Sequence, residues 1–70
     1  MPESIFILRF TRHDLTGIEE QQYNHAKDAW DAFRLFAEPD SAELYDRIEL
    51  VEYNRIEDQV YPLAQLDLYA

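Results

Sequence analysis

Apolar and polar residues alternate in more than one rhythm along this 70-residue chain, and the rhythm predicts where each element lies. Between residues 24 and 38, apolar side chains recur at three- and four-residue steps, which is the spacing that lines one face of a helix. We expect Asn24 to be the N-cap of this helix and Pro39 to end it. The stripe consists of Ala26, Ala29, Trp30, Phe33, Phe36 and Ala37.

The first third of the chain predicts a hairpin. Residues 4–12 are rich in β-branched and aromatic types, and both of their alternating faces are apolar, which is typical of a central strand. Residues 14–17 predict a turn that uses the only glycine of the chain. Residues 18–23 then return as a polar edge strand, with Arg12 facing Glu20.

The second half of the chain predicts another hairpin after a short turn at residues 41–45. Residues 45–54 alternate as a strand, although part of this stretch also fits helical spacing; its isoleucine, valine and tyrosine content favours the strand. Residues 60–69 predict the last strand, in which Pro62 marks an edge or a bulge because it has no N–H to donate.

One antiparallel register of this second hairpin pairs aromatic residues with each other, a base with an acid, and aliphatic residues with each other. It also arises by chance at an appreciable rate in a chain with five tyrosines. The register pairs Tyr53 with Tyr61, Val51 with Leu63, Glu49 with Gln65, Arg47 with Asp67, Tyr45 with Tyr69, Leu50 with Ala64 and Ile48 with Leu66.

The order of these elements predicts an α+β fold. We expect residues 1–70 to form a single small domain, a two-layer ββαββ arrangement with one main helix packed on a four-stranded antiparallel sheet. A domain of this size buries only about 60% of the surface of its unfolded chain, so its stability is thin.

A single helix shields only one face of such a sheet. The other face then carries an apolar and aromatic surface, which on a small protein marks an interface. The alternative is that the tail covers this surface or that the tyrosine hydroxyls face water. Its predicted residues are Ile5, Ile7, Tyr45, Val51, Tyr53, Tyr61, Leu63 and Tyr69.

The net charge of −9 changes the choice of partner. It disfavours nucleic acid and anionic membranes, and it favours a basic protein as the partner. A second copy of the chain is favoured by the apolar surface and not by the charge. Carboxylates at every third position form a candidate acidic face, which would suit an inhibitor, encoded by a phage or mobile element, that mimics DNA. The alternative is a solvated acidic surface. These acids are Asp40, Glu43, Asp46, Glu49 and Glu52.

Candidate chemistry is sparse. The chain has no cysteine, two histidines (His13 and His25) and one glycine, so thiolate zinc sites and phosphate-cradling loops are excluded. A domain this small has little room for a pocket of about 300 Å³. We therefore expect no enzyme activity, no metal and no cofactor. No stretch reaches the roughly 20 apolar residues of a membrane span, and the lack of cysteine fits the cytoplasm.

Overall fold

The fold is a two-layer α+β arrangement of ββαββ order, as predicted. The structure is a computed structural model, and it describes residues 3–12, 18–37 and 45–68. The predicted turns at residues 14–17 and 41–45 lie outside this part, except for Tyr45. The described elements are β1 (Ser4–Arg12), β2 (Ile18–Tyr23), α1 (Ala26–Phe36), β3 (Tyr45–Asn54) and β4 (Gln59–Asp67).

The four antiparallel strands form one sheet in the order β2-β1-β3-β4. The central position of β1 agrees with its two apolar faces, and the outer position of β2 agrees with its polar sequence. Strand β4 is the other edge, which accommodates Pro62 because an edge strand leaves some N–H groups without a ladder partner. Residues 45–54 are a strand and not a helix.

The predicted register of the first hairpin is wrong by three residues. Glu20 lies opposite Arg9 rather than Arg12, and the Arg9 Nε is 2.8 Å from Glu20 Oε2. Arg12 instead pairs with Glu19, also at 2.8 Å. Because either arginine satisfies a glutamate on β2, the charges alone do not select the register.

The helix is shorter than the stripe of apolar residues that predicts it. Its N-cap is His25, which has extended backbone angles (φ −123°, ψ 135°) and makes no side-chain capping bond. The prediction of Asn24 as N-cap is therefore wrong, because the chain enters the helix one residue later. The helix ends at Phe36 with Ala37 as its C-cap, and Pro39 lies outside the described residues.

The core lies between α1 and one side of the sheet, which we call the helix side. Its fully buried residues come from β1, from β3 and from the first half of the helix, and α1 packs over β1, β2 and β3. The Phe10 ring meets the Phe36 ring edge-on at 4.8 Å. Trp30 and Phe33 form part of the half-buried shell. The buried core residues are Leu8, Phe10, Ala29, Ile48 and Leu50.

A bulge in β4 changes the predicted register of the second hairpin. From Arg47 to Leu50, β3 pairs as predicted, ending with Leu50 opposite Ala64. The register then shifts by one, so that Val51 lies opposite Pro62 and Tyr53 opposite Val60. The predicted pairs of Tyr53 with Tyr61 and Val51 with Leu63 are therefore wrong.

A second irregularity lies near the start of β3. Thr11 pairs with Arg47, but Arg12 pairs with Tyr45, so Asp46 is an extra residue on β3. A one-residue bulge moves the side chains beyond it to the other side of the sheet. Tyr45 consequently lies on the helix side, where its ring packs 5.1 Å from Phe10.

Candidate interaction surface

The side of the sheet opposite α1, which we call the open face, has no other described element packed on it. Its residues follow from the register, because directly paired residues share a face. They form rows that cross the strands. Two rows are apolar on β1, β3 and β4: Ile5, Tyr53 and Val60, then Ile7, Val51 and Pro62, with Gln22 of β2 beside Ile7. The next two are mainly polar: Glu20, Arg9, Glu49 and Gln65, then Ile18, Thr11, Arg47 and Asp67.

The two apolar rows form a contiguous patch, which we call the apolar patch. At its centre, Ile5 and Val51 are only 8% and 4% exposed. Around them, Ile7 and Tyr53 are half-buried and Val60 is 47% exposed. The patch is therefore already packed in one copy of the chain, and its rim holds most of the apolar area that a partner would cover. Its members are Ile5, Ile7, Val51, Tyr53, Val60 and Pro62.

The polar rows contain ion pairs that join neighbouring strands of the sheet. Arg9 pairs with Glu20, and the Arg47 Nε is 2.9 Å from Asp67 Oδ1. Glu49 is less well satisfied, because its nearest basic atom is the Arg47 Nη1 at 4.0 Å, which is beyond hydrogen-bond distance. Among the described residues, the four rows hold two arginines and three carboxylates, a net charge of −1, and Asp46 lies beside the last row, whereas the chain carries −9.

The β3–β4 turn positions Tyr53 at one corner of the apolar patch. Asn54 Oδ1 accepts hydrogen bonds from the backbone N–H groups of Ile56 (3.0 Å) and Glu57 (2.9 Å), which closes the turn. The Tyr53 hydroxyl donates to Asp58 in this turn. That hydrogen bond, followed by the negative charge of Asp58, raises the pKa of Tyr53 above its usual value. The ring is thus held with its polar tip against the turn and its apolar edge toward the patch.

The structure separates the tyrosines that the sequence predicts on one face. Tyr61 lies opposite Glu52 on the helix side, and its hydroxyl donates to Glu57 at 2.8 Å, which raises the pKa of Tyr61. Tyr45 also lies on the helix side because of the bulge at Asp46. The prediction that these two tyrosines lie on the open face is therefore wrong, and Tyr69 lies outside the described residues.

Four of the predicted surface residues do meet on the open face, and the structure adds two. Ile5, Ile7, Val51 and Tyr53 are brought together by the pairing of β1 with β3. Leu63 is the extra residue of the β4 bulge and is 38% exposed. The added residues are Val60 and Pro62, which the bulge turns toward the patch. Pro62 indicates an edge or a bulge in this strand. The sequence therefore predicts that the register can shift here, but it does not predict between which residue pairs the shift occurs.

The regularly spaced acids do not lie on one face. Because side chains alternate along a strand, an every-third spacing on β3 directs Glu49 to the open face and Glu52 to the helix side. Glu52 accepts a hydrogen bond from the Ser4 hydroxyl at 2.7 Å, and Asp46 lies at the bulge. Asp40 and Glu43 lie outside the described residues. The prediction of one acidic face is therefore wrong for Glu49 and Glu52, which lie on opposite sides of the sheet.

One open groove, of about 420 Å³, lies at the polar end of the open face. It is larger than the sequence predicts for a domain of this size. Thr11, Asp46, Arg47 and Asp67 line it, and Arg47 is already paired with Asp67. Within residues 3–12, 18–37 and 45–68, no three histidine or acidic side chains are grouped to hold a metal ion, and no helix is long and apolar enough to cross a membrane.

Comparisons with known proteins give no relative from which to transfer a function: no family model, curated protein or solved structure matches this chain.

Proposed function

We propose that this chain is a small acidic, non-catalytic protein-interaction module that associates with a second copy of itself through the open face. The observation that carries this proposal is the apolar patch, which lies on the side of the sheet that α1 leaves uncovered. A contiguous apolar surface bordered by charged residues is typical of a protein–protein contact.

The charge distribution supports a second copy as the partner. Two chains that each carry −9 repel each other, so they associate best through their least charged surfaces. In the described part of the chain, the four rows of the open face have a net charge of only −1. A partner that covers these rows therefore meets three of the fifteen carboxylates of the chain, together with two arginines.

The arrangement of basic residues supports a protein partner over nucleic acid. Of the six basic side chains, five are in ion pairs with carboxylates, so a phosphate backbone would have to displace those carboxylates. The alternative of an acidic inhibitor that mimics DNA needs one continuous negative surface. The alternation of Glu49 and Glu52 across the sheet gives it no support.

Sedimentation equilibrium over a range of protein concentrations tests the proposal. We expect a reversible dimer of the wild-type chain. Val60→Glu inserts a carboxylate into the exposed rim of the apolar patch and should give a monomer. Leu35→Glu is the matched control, because Leu35 is 67% exposed on the helix and lies away from this face. It should dimerise as the wild type does.

Circular dichroism of both variants separates a lost interface from a lost fold. Each should keep the wild-type spectrum, since both positions are exposed. A wild-type chain that stays monomeric at millimolar concentration would overturn the proposal, and so would a dimer that Val60→Glu leaves intact.

A further inference from the structure

From the rows of the open face, we infer that the two copies pack about a two-fold axis parallel to the strands, running between β1 and β3, with Arg9 of each copy against Glu49 of the other. This inference rests on the proposed self-association and adds its geometry. The axis passes between the two central strands of the sheet, where packed sheets make most of their contact.

Such an axis uses the pairing already present within one chain. It places β1 of one copy over β3 of the other and keeps each row at the same position along the strands. Each residue therefore faces, in the second copy, the residue that is its cross-strand partner within its own chain. Ile7 lies opposite Val51 in the chain and therefore faces Val51 of the other copy. In the next row, Arg9 lies opposite Glu49 and therefore faces Glu49 of the other copy. Each contact occurs twice because the interface is symmetric.

The other two-fold axis within the interface plane does not give this match. An axis perpendicular to the strands reverses the order of the rows. Placed at the middle of the four rows, it brings apolar rows against polar rows, and placed at the Arg9 row, it brings Arg9 against Arg9. Placed between the two apolar rows, it joins those rows but leaves Arg9 and Glu49 without a partner from the other copy. Burying a charge without a partner, or against a like charge, is strongly unfavourable. Only the axis parallel to the strands joins apolar rows to apolar rows and an arginine to a carboxylate.

Arg9 and Glu49 both have capacity for a further partner. Glu20 occupies the Nε of Arg9, and the terminal nitrogens of a guanidinium carry four more donors. The Arg9 side chain is 38% exposed, so these donors are accessible. Glu49 is 29% exposed, and its one ion pair among the described residues spans 4.0 Å. A second guanidinium would supply the hydrogen bonds that Glu49 lacks.

The open face has about the area that a specific dimer needs. Four strands spaced by about 4.8 Å and nine residues of about 3.3 Å each give roughly 550 Å² per copy. Two copies together bury on the order of 1,100 Å², which is near the lower limit for specific interfaces. We therefore expect a dimer that dissociates on dilution, which makes its pairing measurable by exchange between chains.

Mixing two charge-reversal variants tests the axis. Arg9→Glu places two carboxylates at each contact, and Glu49→Arg places two arginines there, so each variant alone should lose its dimer. In an equimolar mixture, a heterodimer sets the new carboxylate of the first variant against the new guanidinium of the second. The other contact of that heterodimer joins the unchanged Arg9 and Glu49, so both contacts are favourable.

Native mass spectrometry of chains with different isotope labels measures this heterodimer. Mixing leaves the pairs within each chain unchanged, so recovery of a dimer reports only contacts between copies. We expect the mixture to dimerise at concentrations at which either variant alone is monomeric.

Arg34→Glu is the matched control, since Arg34 is exposed on the helix surface. It should dimerise with itself and show no preference for Glu49→Arg. Where circular dichroism finds either charge reversal unfolded, Arg9→Gln and Glu49→Gln replace it, and each should weaken the dimer at least about tenfold.

The outcomes distinguish this inference from the proposed function. If the wild type dimerises but the two variants show no preferential pairing, the axis is wrong while association through the open face stands. If both charge reversals dimerise as tightly as the wild type, the Arg9–Glu49 contact is overturned. A monomeric wild type overturns the proposed function and the axis together.

Discussion

The Tyr45 hydroxyl donates a hydrogen bond to Glu19 Oε2 at 2.9 Å, and this bond joins β3 to β2 across the intervening strand β1. The Tyr45 ring lies 5.1 Å from Phe10, so it also closes one end of the core. The bulge at Asp46 makes these two contacts of Tyr45 possible, because in a regular strand Tyr45 would point to the open face. A residue that the sequence predicts at an interface is thus used to connect three strands.

Removal of this hydroxyl should make the protein less sensitive to alkaline pH. The hydrogen bond to Glu19, then burial, raises the pKa of Tyr45 above its ordinary value of 10.0. The folded state therefore holds the proton more tightly, so the stabilisation is present below pH 10 and is lost as pH rises through the folded pKa. Urea unfolding at about pH 8 and about pH 11, on either side of that ordinary value, should give a smaller loss of stability for Tyr45→Phe than for the wild type.

Tyr23→Phe is the control for the loss of one hydroxyl, because the Tyr23 hydroxyl donates to the amide oxygen of Gln21 and not to a carboxylate. An alkaline loss in Tyr45→Phe as large as that of the wild type would contradict the assignment to Tyr45.

Enlarging Ala29 should destabilise the fold, because Ala29 is the point at which the helix is buried against the sheet. It belongs to one fully buried cluster with Leu8, Phe10, Ile48 and Leu50. Ala29→Leu overpacks this contact and should cost about 1–3 kcal/mol of unfolding free energy. Urea titration followed by circular dichroism measures it.

The same substitution at Ala26 provides a control within the same helix. Ala26 is exposed, so Ala26→Leu should change the unfolding free energy by less than about 0.5 kcal/mol. Equal effects at the two positions would mean that Ala29 is not the buried contact.

A capping residue at position 25 should stabilise the helix. His25 has the extended backbone of an N-cap but makes no side-chain bond to the first helical N–H groups. His25→Ser supplies an acceptor oxygen and should add about 1 kcal/mol to the unfolding free energy. Asn24→Ser places the same hydroxyl one residue too early and should have little effect. Thermal unfolding compares the two, and a gain at residue 24 but not at 25 would refute the assignment of the N-cap.

Removal of the Asn54 side chain should loosen the β3–β4 turn. Asn54 Oδ1 accepts from two backbone N–H groups, so Asn54→Ala should cost about 1 kcal/mol, as the loss of a comparable cap does. Asn54→Asp keeps the acceptor and should restore most of this loss, while Asn24→Ala serves as the exposed control. Hydrogen exchange at the amides of Ile56 and Glu57 should accelerate in Asn54→Ala alone.

The open face was only partly predictable from the sequence. Ile5, Ile7, Val51 and Tyr53 could be assigned to one face because β1 and β3 alternate regularly between these positions. Val60 and Pro62 could not, because their direction depends on the bulge in β4. A bulge changes which partner each residue meets, and the alternation within one strand carries no record of it.

The acidic spacing is an example of a pattern whose meaning depends on the element that carries it. On a helix, carboxylates three residues apart lie near one another, whereas on a strand they alternate between the two sides. Since residues 45–54 form β3, Glu49 and Glu52 are separated by the sheet. On a helix, the same spacing would have placed these two carboxylates near one another.

The strand assignment of β3 rested on its isoleucine, valine and tyrosine content, because part of its spacing also fits a helix. For the other elements and for their order, local patterning was sufficient, because the three- to four-residue and two-residue periods arise from backbone geometry within each segment. It was also sufficient for the central place of β1 and the polar edge at β2. The registers, the two bulges and the side on which Tyr45 and Tyr61 lie were decided in the assembled sheet. Sliding a strand by one residue leaves its own backbone geometry unchanged and alters only its contacts with strands distant in the sequence, so the packing of those contacts makes the choice.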